Sequence, residues 1–187
     1  MTHPLQQGMI APAFSTVDLS GNAVSLENYR GRKVLLAFLR FSACAICNLR
    51  VHHFIGRYPA WQRQGLDVVA IFESPETNMR KYVGAQNAPF PLVADPKARL
   101  YDWYGIETSE EKVQATMADA NTKSFVAEAA AAGFALTPEE GSNFHRIPAE
   151  FLIDERGIVQ LAHYNRIITD HLPLTTIDSF SASKEQK

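Results

Sequence analysis

The chain has 187 residues, of which 46% are hydrophobic and 20% are charged, and its formal net charge is −2. This profile is typical of one globular domain, spanning residues 1–187, that is long enough to bury a core. The near-neutral charge argues against nucleic acid or an anionic membrane surface as a partner. No apolar run reaches the length of a membrane span. The N-terminus lacks a charged start followed by an apolar segment, so we expect no secretory signal and a cytoplasmic location.

In the first half of the chain, apolar runs and turn residues predict strands that alternate with helices. Residues 18–24 should form a turn between two short strands, and residues 34–40 and 66–72 should be buried strands. The pattern from about 44 to 64 is helical, although Pro59 should kink or end the helix. Ser74 is expected to cap a further helix that runs to about Gln86.

The second half returns to strands and ends in a helix. We expect the following elements: a strand at 91–95, a short helix at 96–105, a hairpin of 151–154 with 158–164, and a helix from Asp170 to Phe180. Residues 181–187 should be a flexible tail. Strands that alternate with helices, followed by a late hairpin, predict an α/β fold, a three-layer α/β/α sandwich around a central mixed sheet.

Residues 107–146 do not fit this alternation. They are acidic and rich in alanine, which favours helix, so we predict an inserted helical pair. Such a pair is either a helix or lid packed on its own domain, or a substrate lid or dimer contact. A homodimer is therefore left open.

Cys44 and Cys47 are the only cysteines in the chain, and they lie three residues apart between a buried strand and a helix. A helix N-terminus offers unpaired N–H groups and partial positive charge, which stabilise a thiolate. The spacing also brings the two sulfurs within reach of a disulfide. The pattern predicts a redox-active dithiol.

Three other interpretations remain. The two cysteines could be neighbours in the core without chemistry. They could be half of a zinc site with His52 or His53, but helix geometry places His52 about 12 Å along the axis from Cys44, so we expect no metal. They could also belong to a non-catalytic module that senses oxidation and changes a partner interaction through residues 107–146.

The segment "FLRFSACAICNLR" resembles the CxxC stretch of peroxiredoxin-like proteins of the alkyl hydroperoxide reductase/thiol-specific antioxidant group, which share the thioredoxin fold. "PLVADPKARLYDWYGI", "IPAEFLIDERGIVQLAHY" and "DHLP" resemble later parts of the same proteins, in the same order. The resemblance covers nearly all of the chain except about 107–145. It implies a thioredoxin-like fold with a helical insertion, and an antioxidant thiol oxidoreductase that needs no cofactor.

The chain departs from the peroxidase pattern of that family at two places. Cys47 aligns with the peroxidatic cysteine, so Cys44 stands where a peroxide-binding threonine is expected. Pro148 stands where an arginine is usual and instead resembles the cis-proline of thioredoxins. The resemblance then implies that Ile147 and Pro148 bind substrate. Arg40 or Arg146 could supply the missing positive charge.

The order of attack stays open at this point. In thioredoxin chemistry Cys44 attacks a disulfide and Cys47 resolves it; in peroxiredoxin chemistry Cys47 attacks a peroxide and Cys44 condenses with it. We favour Cys44, because the absent threonine and arginine weaken peroxide activation more than disulfide exchange. Either order oxidises the pair to a disulfide, so a peroxide or protein disulfide substrate and an external thiol reductant, such as the thioredoxin or glutathione system, are expected.

Overall fold

A five-stranded mixed sheet lies at the centre of the computed structural model, which describes residues 4–183. Its strands are β3 (Lys33–Phe38), β4 (Leu66–Phe72), β5 (Leu92–Ala94), β6 (Ala149–Ile153) and β7 (Val159–Tyr164), in the order β5-β4-β3-β6-β7. Neighbouring strands are parallel from β3 to β5 and antiparallel from β3 to β7. A separate antiparallel hairpin joins β1 (Ser15–Val17) and β2 (Ala23–Ser25). The predicted α/β class and mixed sheet are confirmed.

Six α-helices flank the sheet in the described part of the chain. They are α1 (Ala45–Arg63), α2 (Glu76–Lys81), α3 (Arg99–Trp103), α4 (Glu110–Ala118), α5 (Thr122–Ala131) and α6 (Leu174–Ala182). None of them is long and apolar enough to cross a membrane.

The central strand β3 is buried on both faces, and its side chains alternate between two cores. Leu35 and Ala37 pack with α1, α2 and α6, whereas Leu36 and Phe38 pack with α3 and the β1–β2 hairpin. This division gives the three predicted layers. It also fixes the end of β3 in the middle of the molecule, where the chain turns into α1.

Helix α1 continues through Pro59, so the proline does not end the helix. Pro59 itself is exposed, while Phe54, Tyr58 and Trp61 on either side of it are buried against the sheet. Packing on both sides outweighs the lost backbone hydrogen bond. The helix ends before Gly65, whose φ of 82° suits glycine.

Two other helix boundaries differ from the prediction. The helix after Ser74 is capped by Pro75 and ends at Lys81, and a 3-10 turn at Val83–Gln86 follows it. Helix α6 begins only after Pro173 and ends at Ala182, so the predicted tail at 181–187 starts too early. Ser181 is 1% exposed. Residues 184–187 lie outside the described part of the chain.

The segment 107–146 holds α4 and α5, in agreement with an inserted helical pair. Two backbone hydrogen bonds close its base, from Ile147 to Glu107 at 3.2 Å and from Ser109 to His145 at 2.8 Å. Helix α5 then packs on the first turns of α1, where Ala129 contacts the cluster that contains Ala45 and Leu49. The insertion therefore lies beside the cysteine pair.

Candidate active site

The two cysteines lie where β3 feeds into α1. Cys44 is the N-cap residue of α1 and Cys47 lies in its first turn. Both are free thiols, and they are only 1% and 0% exposed. The position of Cys44 at a helix N-terminus would ordinarily leave its sulfur exposed, but the insertion packs on the first turns of α1 and both thiols are buried.

Cys44 is the more acidic thiol of the pair. The S–H of Cys47 hydrogen-bonds to it and, with the Arg40 guanidinium, lowers the pKa of Cys44 from 9.0 to about 6 against the opposing effect of burial. The Arg40 Nη1 donates to the Cys44 Sγ at 3.6 Å. At neutral pH Cys44 is therefore mainly a thiolate, the nucleophilic form.

Cys47 has the opposite character. Burial raises the pKa of Cys47 well above its ordinary value, and its hydrogen bond to Cys44 adds to the rise. Its Sγ accepts the backbone N–H of Arg40 at 3.4 Å. The structure thus pairs a thiolate at the helix terminus with a protonated thiol one turn further in.

Arg40 is fixed from several sides. Its guanidinium carbon lies 4.9 Å from the centroid of the Phe41 ring and 5.0 Å from that of Phe144. It donates from Nε to the Arg146 carbonyl at 3.1 Å and from Nη2 to the Phe144 carbonyl. The cation is only 3% exposed, so its charge acts on Cys44 with little screening by water.

The side chain of Arg146 points to a different partner. It donates to Glu73 at 2.6 Å and to the Ile106 carbonyl at 2.6 Å, and it lies over the Tyr101 ring. Of the two arginines named from the sequence, the structure brings Arg40 to the sulfurs. Arg146 contributes its carbonyl oxygen to the site by holding Arg40.

Ile147 and Pro148 are buried beside these residues, but not in the expected conformation. No peptide bond within residues 4–183 is cis, so the cis-proline interpretation of Pro148 is wrong for this structure. The Ile147 N–H donates to Glu107 and is not available to pair with an extended substrate. A role of either residue in substrate binding stays a prediction.

A buried ion pair that was not predicted from the sequence connects α1 to β6. Arg50 binds both oxygens of Glu150, at 2.7 and 2.8 Å, and the Leu172 carbonyl at 2.7 Å. The Leu172 N–H donates back to Glu150 at 2.8 Å, and His171 lies 3.7 Å away. The pair unites the "CNLR", "PAEFLID" and "DHLP" segments. The sequence did carry a signal for this pair, namely a basic residue in one largely apolar segment and an acidic residue in another.

Glu139 is a second residue that sequence reasoning missed. It comes from the loop after α5, is 8% exposed, and accepts hydrogen bonds from the Ser42 hydroxyl at 2.9 Å and the Ala43 N–H at 3.0 Å. Its other oxygen accepts from Ser74 at 2.5 Å and Asn78 at 3.1 Å. In a stretch of acidic and small residues, nothing in the sequence marked this carboxylate as buried.

The histidines considered for zinc lie apart from the sulfurs. His53 bonds to Glu128 of α5 at 2.8 Å, and His52 is exposed next to Phe134. In residues 4–183 no three histidine, cysteine or acidic side chains form a group able to hold a metal ion.

Comparison with known proteins agrees with the dithiol and the fold. The model of the AhpC/TSA family matches residues 8–162. A Mycobacterium tuberculosis protein named as a peroxiredoxin is 26% identical over 171 residues, 91% of this chain and 92% of its own. The thiol-disulfide oxidoreductase ResA of Geobacillus thermodenitrificans is 31% identical over 100 residues, 53% of this chain and 57% of ResA.

Solved structures show the same fold. The peroxidoxin BcpB of Mycobacterium tuberculosis superposes with a TM-score of 0.66 at 15% identity, covering 96% of each chain. A Chlorobium tepidum protein described as a DsbE-type thiol:disulfide interchange protein gives a TM-score of 0.63 at 20% identity, covering 94% of this chain and 95% of its own. The thioredoxin-like fold is therefore confirmed.

Proposed function

This chain belongs to the AhpC/TSA family and is a thiol-based oxidoreductase, and we propose that Cys44 is its attacking thiolate and Cys47 its resolving thiol. The observation that carries the proposal is the position of Cys44 at the N-cap of α1, 3.6 Å from the Arg40 guanidinium, with Cys47 in the first turn of the same helix. A thiolate attacks faster than a thiol, so the lowered pKa of Cys44 selects it as the nucleophile.

With a hydroperoxide, the Cys44 thiolate attacks the terminal peroxide oxygen, the O–O bond breaks, and the departing alkoxide or hydroxide takes up a proton. Cys44 becomes a sulfenic acid. The Cys47 sulfur then attacks the Cys44 sulfur, its proton leaves with the hydroxyl group as water, and the Cys44–Cys47 disulfide forms. Two electrons have passed from the two thiols to the peroxide.

With a disulfide substrate, the Cys44 thiolate attacks one sulfur and the other leaves as a thiolate. Cys47 then displaces the substrate from the mixed disulfide, and the same Cys44–Cys47 disulfide results. In both cases an external thiol returns the two electrons. A thioredoxin or glutathione system as that reductant, a cytoplasmic location and a homodimer belong to this proposal as expectations from the sequence.

The test is turnover of the reduced protein with hydrogen peroxide, cumene hydroperoxide or insulin, each in the presence of a regenerating reductant. We expect steady consumption of at least one oxidant, its loss in Cys44→Ser, and a trapped Cys44 adduct in Cys47→Ser. Consumption of none of them would contradict an enzyme and favour a redox-sensing role. If an adduct forms on Cys47 in Cys44→Ser and none forms on Cys44 in Cys47→Ser, the order of attack is the reverse.

A further inference from the structure

We propose that residues 133–146, here called the strap, limit access to Cys44 by size, and that Glu139 is the residue that holds the strap closed. The proposal rests on the proposed function only for its consequence, namely that small oxidants reach the dithiol while folded proteins do not. The strap itself is inferred from contacts between the insertion and the loop that leads into α1.

Glu139 connects the strap to two other parts of the domain. It joins the strap to residues 42 and 43, directly before Cys44, and to residues 74 and 78 on the far side of that loop. Ser42 and Ser74 are completely buried. One carboxylate thus satisfies four donors that would otherwise lose their partners, which is costly in a buried place.

Aromatic side chains at both ends of the strap pack against residues that surround Cys44. Phe144 of the strap stacks on Phe41, with ring centroids 6.2 Å apart, and the Arg40 guanidinium lies beside this pair, about equally far from both rings. Phe134, at the other end of the strap, packs with Phe125 against the cluster of Ala45 and Leu49. The cover therefore lies on both sides of Cys44, which explains why a thiol at a helix terminus is only 1% exposed.

The middle of the strap has few other attachments. It contains no helix or strand between α5 and β6 apart from a bridge of Arg146 to Thr108, and Leu136 is 62% exposed. Segments with few buried contacts open at low free energy. The four hydrogen bonds of Glu139 are thus the main attachment between the two ends.

A cavity of about 360 Å³ lies between the strap and the 3-10 turn at Val83–Gln86, and its wall includes Ala43, Asn48, Phe134 and Thr137. Ala43, which forms part of this wall, is the residue that precedes Cys44. A molecule of the size of a small hydroperoxide fits this volume, whereas a folded protein would need the strap to be displaced.

The test compares two maleimides of the same chemistry, N-ethylmaleimide and a long polyethylene-glycol maleimide, on Cys44 in a Cys47→Ser background. We expect the large reagent to label much more slowly than the small one, relative to their rates on the unfolded chain. Glu139→Gln should raise the labelling rate of the large reagent by about tenfold or more, with a smaller effect on the small reagent.

The matched control is Glu140→Gln, which makes the same charge change at the exposed neighbouring residue and should leave both rates unchanged. Two results would overturn the proposal. One is that, in the chain that retains Glu139, both reagents label at the same rate relative to the unfolded chain. The other is that Glu139→Gln and Glu140→Gln change the labelling rates equally. If Glu139→Gln does not fold, Asn78→Ala decides, because it removes one of the four donors from a half-buried position and should give a smaller change in the same direction.

Activity supplies a separate readout in the chain that retains both cysteines. Glu139→Gln should raise insulin reduction relative to hydrogen peroxide reduction, and an unchanged ratio would count against the strap. A protein that turns over no oxidant contradicts the proposed function alone, because the maleimide comparison does not depend on turnover.

Discussion

At the scale of single residues, the two sulfurs differ because each has a different set of neighbours. Cys47 donates its S–H to Cys44, which is the largest single contribution to the lowered pKa of Cys44. Replacing Cys47 by alanine removes this donor, whereas serine retains one. We expect the pKa of Cys44, measured from the pH dependence of its alkylation, to be higher in Cys47→Ala than in Cys47→Ser. Equal values in the two variants would mean that the hydrogen bond has no part in the acidity.

Arg40 supplies the nearby positive charge. Replacing it by methionine should raise the pKa of Cys44 by about one unit or more, because an opposite charge at this distance stabilises the thiolate. Arg40→Lys should keep part of the effect, although it loses the contacts to two carbonyls. The measurement is alkylation rate against pH. Arg166→Met, at an exposed ion pair with Asp170, serves as a control that should not change the profile.

At the scale of elements, the Arg50–Glu150 pair joins α1 to β6 and to the loop before α6. Both side chains are nearly completely buried, at 5% and 0% exposed. Arg50→Ala or Glu150→Ala leaves an unpaired charge in the core and should cost about 3–5 kcal/mol of unfolding free energy, measured by urea denaturation.

A surface pair provides the comparison for this prediction. Glu76 and Arg80 lie on one face of α2 with side chains about half exposed, so Glu76→Ala should cost less than about 1 kcal/mol. Replacing both Arg50 and Glu150 by apolar residues should cost less than the sum of the two single changes, because no lone charge is left. If the cost of the double replacement equals the sum of the two single costs, the two groups do not interact.

At the scale of the whole molecule, stability should depend on pH through His171. Burial lowers the pKa of this histidine from 6.5 to about 4, so the unfolded chain binds more protons than the folded one between these values. The contribution of His171 to the free energy of unfolding is therefore fully present above pH 6.5 and is lost as the pH falls. This loss amounts to roughly 3 kcal/mol at most. Glu150, whose pKa is also lowered, extends the loss to lower pH.

The test of this prediction is a series of urea unfolding curves from pH 7 to pH 4. His171→Gln should flatten the dependence between pH 6.5 and 4, whereas His52→Gln, at an exposed position, should leave it unchanged. If both variants keep the slope of the unchanged chain, the loss comes from groups other than His171.

Local patterns in the sequence sufficed for much of the fold and for the identity of the site. Strand 66–72 was predicted to the residue because an apolar run follows a glycine turn, and the dithiol was marked by spacing and by its place between strand and helix. The burial of Cys44 could not be predicted, because it depends on side chains such as Phe144 and Glu139 that lie about a hundred residues further along the chain. For the same reason, Arg50 and Glu150 were visible as charges but not as a pair.

The separation between Glu139 and the Ala43 amide is 96 residues. At a synthesis rate of about 5–20 residues per second, both cysteines leave the ribosome about 5–20 s before Glu139 leaves it. The interval between the emergence of Arg50 and that of its Leu172 carbonyl partner is longer still, because the two residues are 122 positions apart. If the strap excludes large partners, the thiols of this protein are therefore open to such partners during synthesis, until Glu139 has also emerged.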